Sequence, residues 1–183
     1  MTQPAAPVYR ATYKSPIGRI EITANETEIL SLEFVKGRTS AKTTAPSPAL
    51  KACLEQLDEY FAGKRKVFEL MLRLEGTAFQ CDVWQALLDV PYGTTVAYAD
   101  VAKAVNKPKA VRAVGSANGA NPISIVVPCH RVVASNGGLG GYGGGLWRKE
   151  WLIQHEGKHN PPAAPKEKWA RSKSSPGIRR TRP

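Results

Sequence analysis

The chain has 183 residues, 42% of them hydrophobic, and a formal net charge of +11. That is enough for one medium domain or two small ones with a true core, and the basic balance points to a polyanionic partner. Three widely spaced cysteines and the absence of any long apolar run argue against a disulfide scaffold, a secretory signal and a membrane span, so a reducing cytoplasm is the expected setting.

The charge is uneven. Residues 159–183 carry +6 of the total, leaving +5 on the rest, so charge supports nucleic-acid binding without establishing it. Val8–Thr12, Ile17–Thr23 and Ile29–Val35 read as three short strands, with turns at Ser15-Pro16-Ile17-Gly18 and Asn25-Glu26-Thr27. After a polar loop from Lys36 to Pro48, a helix is expected over Pro48–Phe61, with Leu50, Cys53, Leu54, Leu57, Tyr60 and Phe61 near one side and Gly63 ending it. Lys64-Arg65-Lys66 reads as a solvated turn, and Phe68–Leu74 as a returning strand.

Composition changes at Glu75-Gly76. Thr77-Ala78-Phe79-Gln80 has the form of a capping box, followed by Phe79, Val83, Trp84, Leu87 and Leu88 at helical spacing and a stop at Pro91-Tyr92-Gly93. Tyr98–Val105 and Lys109–Asn118 are two short helices around the turn Asn106-Lys107-Pro108, which fits a helix-turn-helix but also many small bundles. On the second helix Val111 and Val114 are expected to face one way, while Arg112, Ala113, Ser116 and Gly119 share another face. That face is small enough to approach a nucleic-acid backbone, with Arg112 projecting from it.

Gly119-Ala120-Asn121-Pro122 ends the helix, and an apolar strand from Ile123 then leads into Val127-Pro128-Cys129-His130-Arg131-Val132-Val133. Proline breaks a strand, which sets Cys129 on a rigid corner. A free thiol is mostly protonated at neutral pH, so a Cys-His neighbour pair alone fits an inert buried cysteine equally well. Between Asn136 and Gly145 the chain is glycine-rich. Gly138, Gly140 and Gly143 match a dinucleotide fingerprint, but no βαβ unit surrounds them. The loop instead reads as backbone that approaches a flat base, with Tyr142 packed on it. A last helix is expected over Leu146–Glu156, apolar along Trp147, Trp151, Leu152 and His155 and stopped by Gly157. Glu156 is either a surface residue or turned inward with Leu152. Residues 159–183, rich in Pro, Lys, Arg and Ser, are expected to be a disordered tail.

Pro128-Cys129-His130-Arg131, taken in order with Asn121-Pro122-Ile123, the glycine loop and Lys149-Glu150-Trp151-Leu152, resembles the acceptor region of the O6-alkylguanine-DNA alkyltransferases, also called methylated-DNA–protein-cysteine methyltransferases. The resemblance spans about Thr77 to Gly157 and extends more weakly to the first domain. It implies direct reversal of DNA damage. The alkyl group of O6-alkylguanine, and of O4-alkylthymine, moves to Cys129 in one irreversible turnover after the base is flipped out of the duplex. It further implies that Glu156, His130 and a bridging water take the proton from Cys129, and that Asn121 is a structural hinge. Tyr98 crowds the phosphate and donates to the guanine ring, and Arg112 fills the gap in the stack. The second helix, with Arg112, Ala113 and Ser116, enters the minor groove. The carbonyls of Cys129 and Val132 and the amides near Tyr142 and Gly143 hold the base. Relatives often carry serine where this chain has Gly143, so a hydroxyl contact is missing there.

The expected architecture is α+β: an N-terminal sheet-plus-helix support domain (1–76), a mostly helical DNA-binding alkyltransferase domain with the helix-turn-helix (77–158), and the basic tail (159–183). No cofactor is expected. Nor is a metal, since the N-terminal region has no histidine and only Cys53. The expected partner is double-stranded DNA carrying alkylated guanine, met by a monomer away from membranes. Three rivals remain. A non-catalytic lesion binder of the same fold lacks the cysteine. A cysteine hydrolase is awkward with adjacent Cys129 and His130. A transcription factor leaves the cysteine corner without a purpose.

Overall fold

Alternation of buried and exposed positions builds the first sheet. The computed structural model describes residues 7–37 and 45–160 and the backbone of 178–180. Strands β1 (Tyr9–Ser15), β2 (Gly18–Ala24) and β3 (Ile29–Phe34) pair antiparallel, and Ile20, Ile22 and Ala24 of β2 are fully buried on one face. Helix α1 (Pro48–Phe61) covers that face. Ser47 caps it by accepting from the Leu50 amide, Pro48 fills the first turn, and Leu50, Cys53, Leu57 and Tyr60 are buried at helical spacing. Each large apolar side chain sealed this way contributes roughly 1.5–3 kcal/mol. The expected strand over Phe68–Leu74 shrinks to β4 (Leu72–Leu74), parallel to β3, because residues 64–71 run along the surface with Val67 and Met71 exposed.

The helical part begins at α2 (Ala78–Leu88). The Thr77 hydroxyl accepts from the Gln80 amide at 3.2 Å, and the Gln80 side chain accepts from the Thr77 amide at 2.9 Å, so both halves of the capping box form. Strand β5 (Val96–Ala97) leads into α3 (Tyr98–Ala104), and a turn through Asn106 (φ +58°) leads to α4 (Val111–Gly119). The indole of Trp84 donates to the Ala117 carbonyl at 2.8 Å and locks α4 onto α2. Val114 is buried, but Val111 is 36% exposed: it opens the helix, beyond the reach of the core under Val114.

The apolar stretch 123–127 is not a strand. It makes isolated bridges only, Leu32 with Ile123 and Ser124 with Val127, and Ile125 adopts a left-handed φ of +71°. A β-branched residue there is strained, and its burial on all sides holds it in place. The segment is stitched to the first sheet: the Leu32 amide donates to the Pro122 carbonyl and the Ser124 amide to the Leu32 carbonyl, both at 2.9 Å. Cys129–Arg131 form a single 3-10 turn, and β6 (Val132–Val133) pairs parallel with β5.

Helix α5 (Leu146–His159) passes through Gly157 without stopping. Its buried face is Lys149, Leu152, His155 and Glu156; Trp147, expected on the apolar side, is 54% exposed. The expected disordered tail lies largely outside the described residues. The backbone of β7 (Ile178–Arg180), within that tail, pairs parallel with β4 and completes the order β1-β2-β3-β4-β7. The fold is therefore α+β, a small sheet unit followed by a mainly helical one. The two share a core around Tyr60, whose ring meets Phe61, Phe68, Tyr92 and His155. Among the described residues no helix is long and apolar enough to cross a membrane, and no three His, Cys, Asp or Glu side chains cluster as metal ligands.

Candidate active site

Cys129 is 4% exposed and lines a cavity of about 240 Å³. The helical part supplies Asn118, Gly119, Asn121, Tyr142 and Gly143 to its walls; β3 supplies Glu33 and Phe34 and continues into Val35. The first domain, read as support alone, thus forms one wall. Such a volume is small beside the ~300–1,000 Å³ of pockets that enclose drug-sized ligands, and suits a single ring system.

The corner that carries Cys129 is held by two asparagines. Asn121 donates to the Val127 carbonyl at 2.8 Å and accepts from the Ile123 amide at 3.0 Å, closing the turn across the strained Ile125. Asn118, which the sequence reading passed over, donates to the Cys129 carbonyl at 3.3 Å. Burial pushes the Cys129 thiol up, against the opposing influence of Asn121 and of the Lys149 ammonium. The resting group is a thiol and needs a base to become a nucleophile.

Behind it stands a buried polar cluster. His130 is fully buried, with Nε2 2.8 Å from Glu156 Oε1. The same carboxylate accepts from Arg131 Nε (2.9 Å) and Nη2 (3.0 Å), from the Tyr60 hydroxyl (2.8 Å) and from the Gly93 amide (3.0 Å). Burial opposes ionisation of Glu156, but His130 and Arg131 outweigh it and hold the carboxyl well below the usual carboxylate range. Burial likewise lowers His130, more than Glu156 raises it, so the imidazole is neutral. An ionised carboxylate only accepts, hence Nε2 carries the proton and Nδ1 is left as an acceptor. Nδ1 is buried and has no protein partner. Of the two readings of Glu156, the inward one is correct. Arg131 and Tyr60 were not singled out as site residues; their types gave no warning, although Arg131 adjoins the Cys-His pair.

Lys149 is a second group the sequence reading used only as part of a motif. It is fully buried, pushed down to about 8 by that burial, and donates to the Val132 carbonyl at 2.6 Å and the Gly141 carbonyl at 3.3 Å. It therefore ties the glycine loop to β6. Of the two carbonyls expected to face a base, Val132 has one protein donor and a lone pair to spare, whereas Cys129 already accepts from both the Asn118 side chain and the Val132 amide.

Tyr98, first residue of α3, is half-buried beneath the loop: a Cβ at Gly140 (φ +68°) would lie 2.7 Å from its hydroxyl, and the Lys149 ammonium is 5.7 Å from its ring. The Tyr142 hydroxyl is buried, and burial first, then Cys129, raises its pKa well above the ordinary value. Arg112, Ala113, Ser116 and Gly119 are exposed on α4. Arg112, Ser116 and Gly119 fall at i, i+4 and i+7, so they form a row about 10 Å long. It ends where Gly119 meets the Cys129 cavity. The structure thus gathers Cys129, His130, Glu156, Asn121, Tyr98, Val132, Tyr142 and Gly143 in one neighbourhood, and sets Arg112, Ala113 and Ser116 on the adjoining surface.

Two family models match the chain. Residues 8–74 match the 6-O-methylguanine DNA methyltransferase ribonuclease-like domain, and residues 78–158 match the DNA binding domain of the same family. A methylated-DNA–protein-cysteine methyltransferase of Methanosarcina acetivorans is 44% identical over 154 residues, covering 82% of this chain and 99% of its own. One from Mycobacterium tuberculosis is 41% identical over 157 residues, covering 84% and 95%. The crystal structure of Mycobacterium tuberculosis O6-methylguanine methyltransferase superposes with a TM-score of 0.76 at 40% identity over 86% of this chain and 97% of that one. The crystal structure of the same organism's OGT in complex with DNA gives 0.75 at 42% identity, covering 82% and 93%. Matched along both its sheet unit and its helical unit, the chain belongs to the 6-O-methylguanine DNA methyltransferase family.

Proposed function

We propose that the chain repairs alkylated DNA by direct reversal, as a methylated-DNA–protein-cysteine methyltransferase whose acceptor is Cys129. The observation that carries the reading is the placement of Cys129 in a base-sized cavity, with the unpartnered His130 Nδ1 and the ionised Glu156 behind it. Its substrate is O6-alkylguanine, with O4-alkylthymine as a second base of similar chemistry, in double-stranded DNA. The chain works as a cytoplasmic monomer of three parts: a supporting sheet domain over residues 1–76, an alkyltransferase domain over 77–158, and a basic tail.

The base must leave the stack, because its alkyl group is hidden inside the duplex. The exposed row of α4 lies in the minor groove with Ala113 and Ser116 close to the backbone, and Arg112 fills the space the base leaves. Once the base is in the cavity, its exocyclic amine donates to the spare lone pair of the Val132 carbonyl, and to the Cys129 carbonyl in exchange for one of that carbonyl's two present donors. Amides near Tyr142 and Gly143 donate to O6. A water bridging the thiol and His130 Nδ1 passes the Cys129 proton to the imidazole, and Glu156 stabilises the imidazolium that forms. Sulfur then attacks the alkyl carbon: the S–C bond forms and the C–O6 bond breaks. The leaving guanine takes up a proton, donated by Tyr98 at the ring, and the proton held on His130 passes to solvent while Tyr98 regains one from it, so both side chains end neutral. Thiol and alkylguanine go in, thioether and guanine come out, and no further reactant is needed to balance the step.

Incubating the chain with duplex DNA carrying O6-methylguanine and mapping its peptides should place one methyl group on the peptide containing Cys129, with guanine restored in the DNA. A Cys129→Ser variant of unchanged melting temperature should transfer nothing. Methyl removal by that variant would overturn the assignment.

A further inference from the structure

Arg148 belongs to neither the buried proton path nor the exposed face of α4, yet it joins four parts of the molecule. It lies in the first turn of α5. Its Nε donates to the Ile17 carbonyl, in the β1–β2 turn, at 2.7 Å, and its Nη1 donates to the Gly144 carbonyl, in the glycine loop, at 2.5 Å. The guanidinium carbon sits 4.8 Å from the Phe34 ring centroid and 4.5 Å from that of Trp147. The fit is close: a Cβ at Gly18 would stand 2.8 Å from Nη2.

Phe34 and Gly144 both line the Cys129 cavity, and they touch: a Cβ on Gly144 would lie 2.8 Å from Phe34 Cδ2 and 2.8 Å from Tyr142 Cε1. The wall between sheet and loop is therefore an aromatic ring pressed on bare backbone, clamped from behind by one planar cation. We propose that Arg148 is a positioning residue that fixes Phe34 against the glycine loop, and so sets the width of the Cys129 cavity and the size of alkyl group that reaches the sulfur. The inference rests on the alkyl-transfer reading above. Lysine cannot replace it, since an ammonium offers neither the planar face that stacks between two rings nor the fork that bonds two carbonyls at once.

The test is a ratio. Single-turnover rate constants are measured for the full chain and for Phe34→Ala, Arg148→Ala and Arg148→Lys, on matched duplexes carrying O6-methylguanine or O6-benzylguanine. All three variants should raise the benzyl-to-methyl ratio by about tenfold, the order of discrimination a small change in an apolar pocket supports. If a variant unfolds by its melting curve, Phe34→Leu takes its place and should shift the ratio in the same direction. A clamp that only docks the two units would change both rates together, and an unchanged ratio overturns the proposal. A wild-type chain that transfers neither group would overturn the alkyl-transfer reading itself; wild-type transfer with an unmoved ratio in the variants removes only the role of Arg148 and Phe34.

Discussion

Glu156 is 1% exposed and takes hydrogen bonds from His130, Arg131, Tyr60 and the Gly93 amide. Replacing it by glutamine removes the one charge that balances the buried Arg131, and turns an NH2 group toward donors. Breaking a buried pair from one side costs about 3–5 kcal/mol, so Glu156→Gln should lower unfolding free energy in urea by that amount. Tyr60→Phe deletes a single hydrogen bond to that charged carboxylate and should cost about 1.5–3 kcal/mol. The same cluster gives stability a pH dependence of known sign. His130 is lowered from its ordinary 6.5 and Glu156 from its ordinary 4.5, so in acid the unfolded chain binds more protons than the folded one. Unfolding free energy should therefore fall as pH drops below about 6.5 through His130, and as it drops below about 4.5 through Glu156. Urea melts at stepped pH check this; a Glu156→Gln chain should lose the lower part.

Helix α4 puts a row of small residues and Arg112 in solvent, ending at the cavity. If Arg112 stands in for the extruded base, Arg112→Ala should slow methyl transfer from duplex DNA at least about tenfold, the few kcal/mol of unstacking being no longer offset. Its reaction with free O6-benzylguanine should keep the wild-type rate. Equal slowing on both substrates would remove the role. This helix and α3 before it were legible because the turn Asn106-Lys107-Pro108 separates two stretches of helical spacing. The stretch 123–127 was not: an apolar run reads alike as a buried strand or a buried turn, and Ile125 gives no sign of its left-handed backbone. Nor was the inner face of α5. Hydropathy assigns Lys149 and Glu156 to solvent and Trp147 to the core, whereas partners on other elements draw the first two inside and Trp147 is left 54% exposed. Arg148 was invisible for the same reason, since its carbonyl acceptor on Ile17 lies 131 positions away.

At the scale of the molecule, the two units are joined through the site rather than beside it. Tyr60 of α1 bonds the carboxylate behind Cys129, His155 of α5 bonds the Tyr60 carbonyl at 2.8 Å, and Phe34 of β3 walls the cavity. This makes the sheet unit part of the surroundings of Cys129, a place that its sequence, lacking any histidine among residues 1–76, did not announce. It also frames what the reaction does to the protein. Water cleaves an acyl-enzyme readily, but it does not readily cleave a thioether, and a methylated Cys129 has no free thiol with which to begin again. On the proposed reading, the chain is consumed with its substrate. The direct measurement is a count: the chain is mixed with a large molar excess of duplex DNA carrying labelled O6-methylguanine, and label on protein and guanine restored in DNA are followed to completion. Both should rise together and stop at one per protein molecule. Restoration that continues past that point would contradict the account.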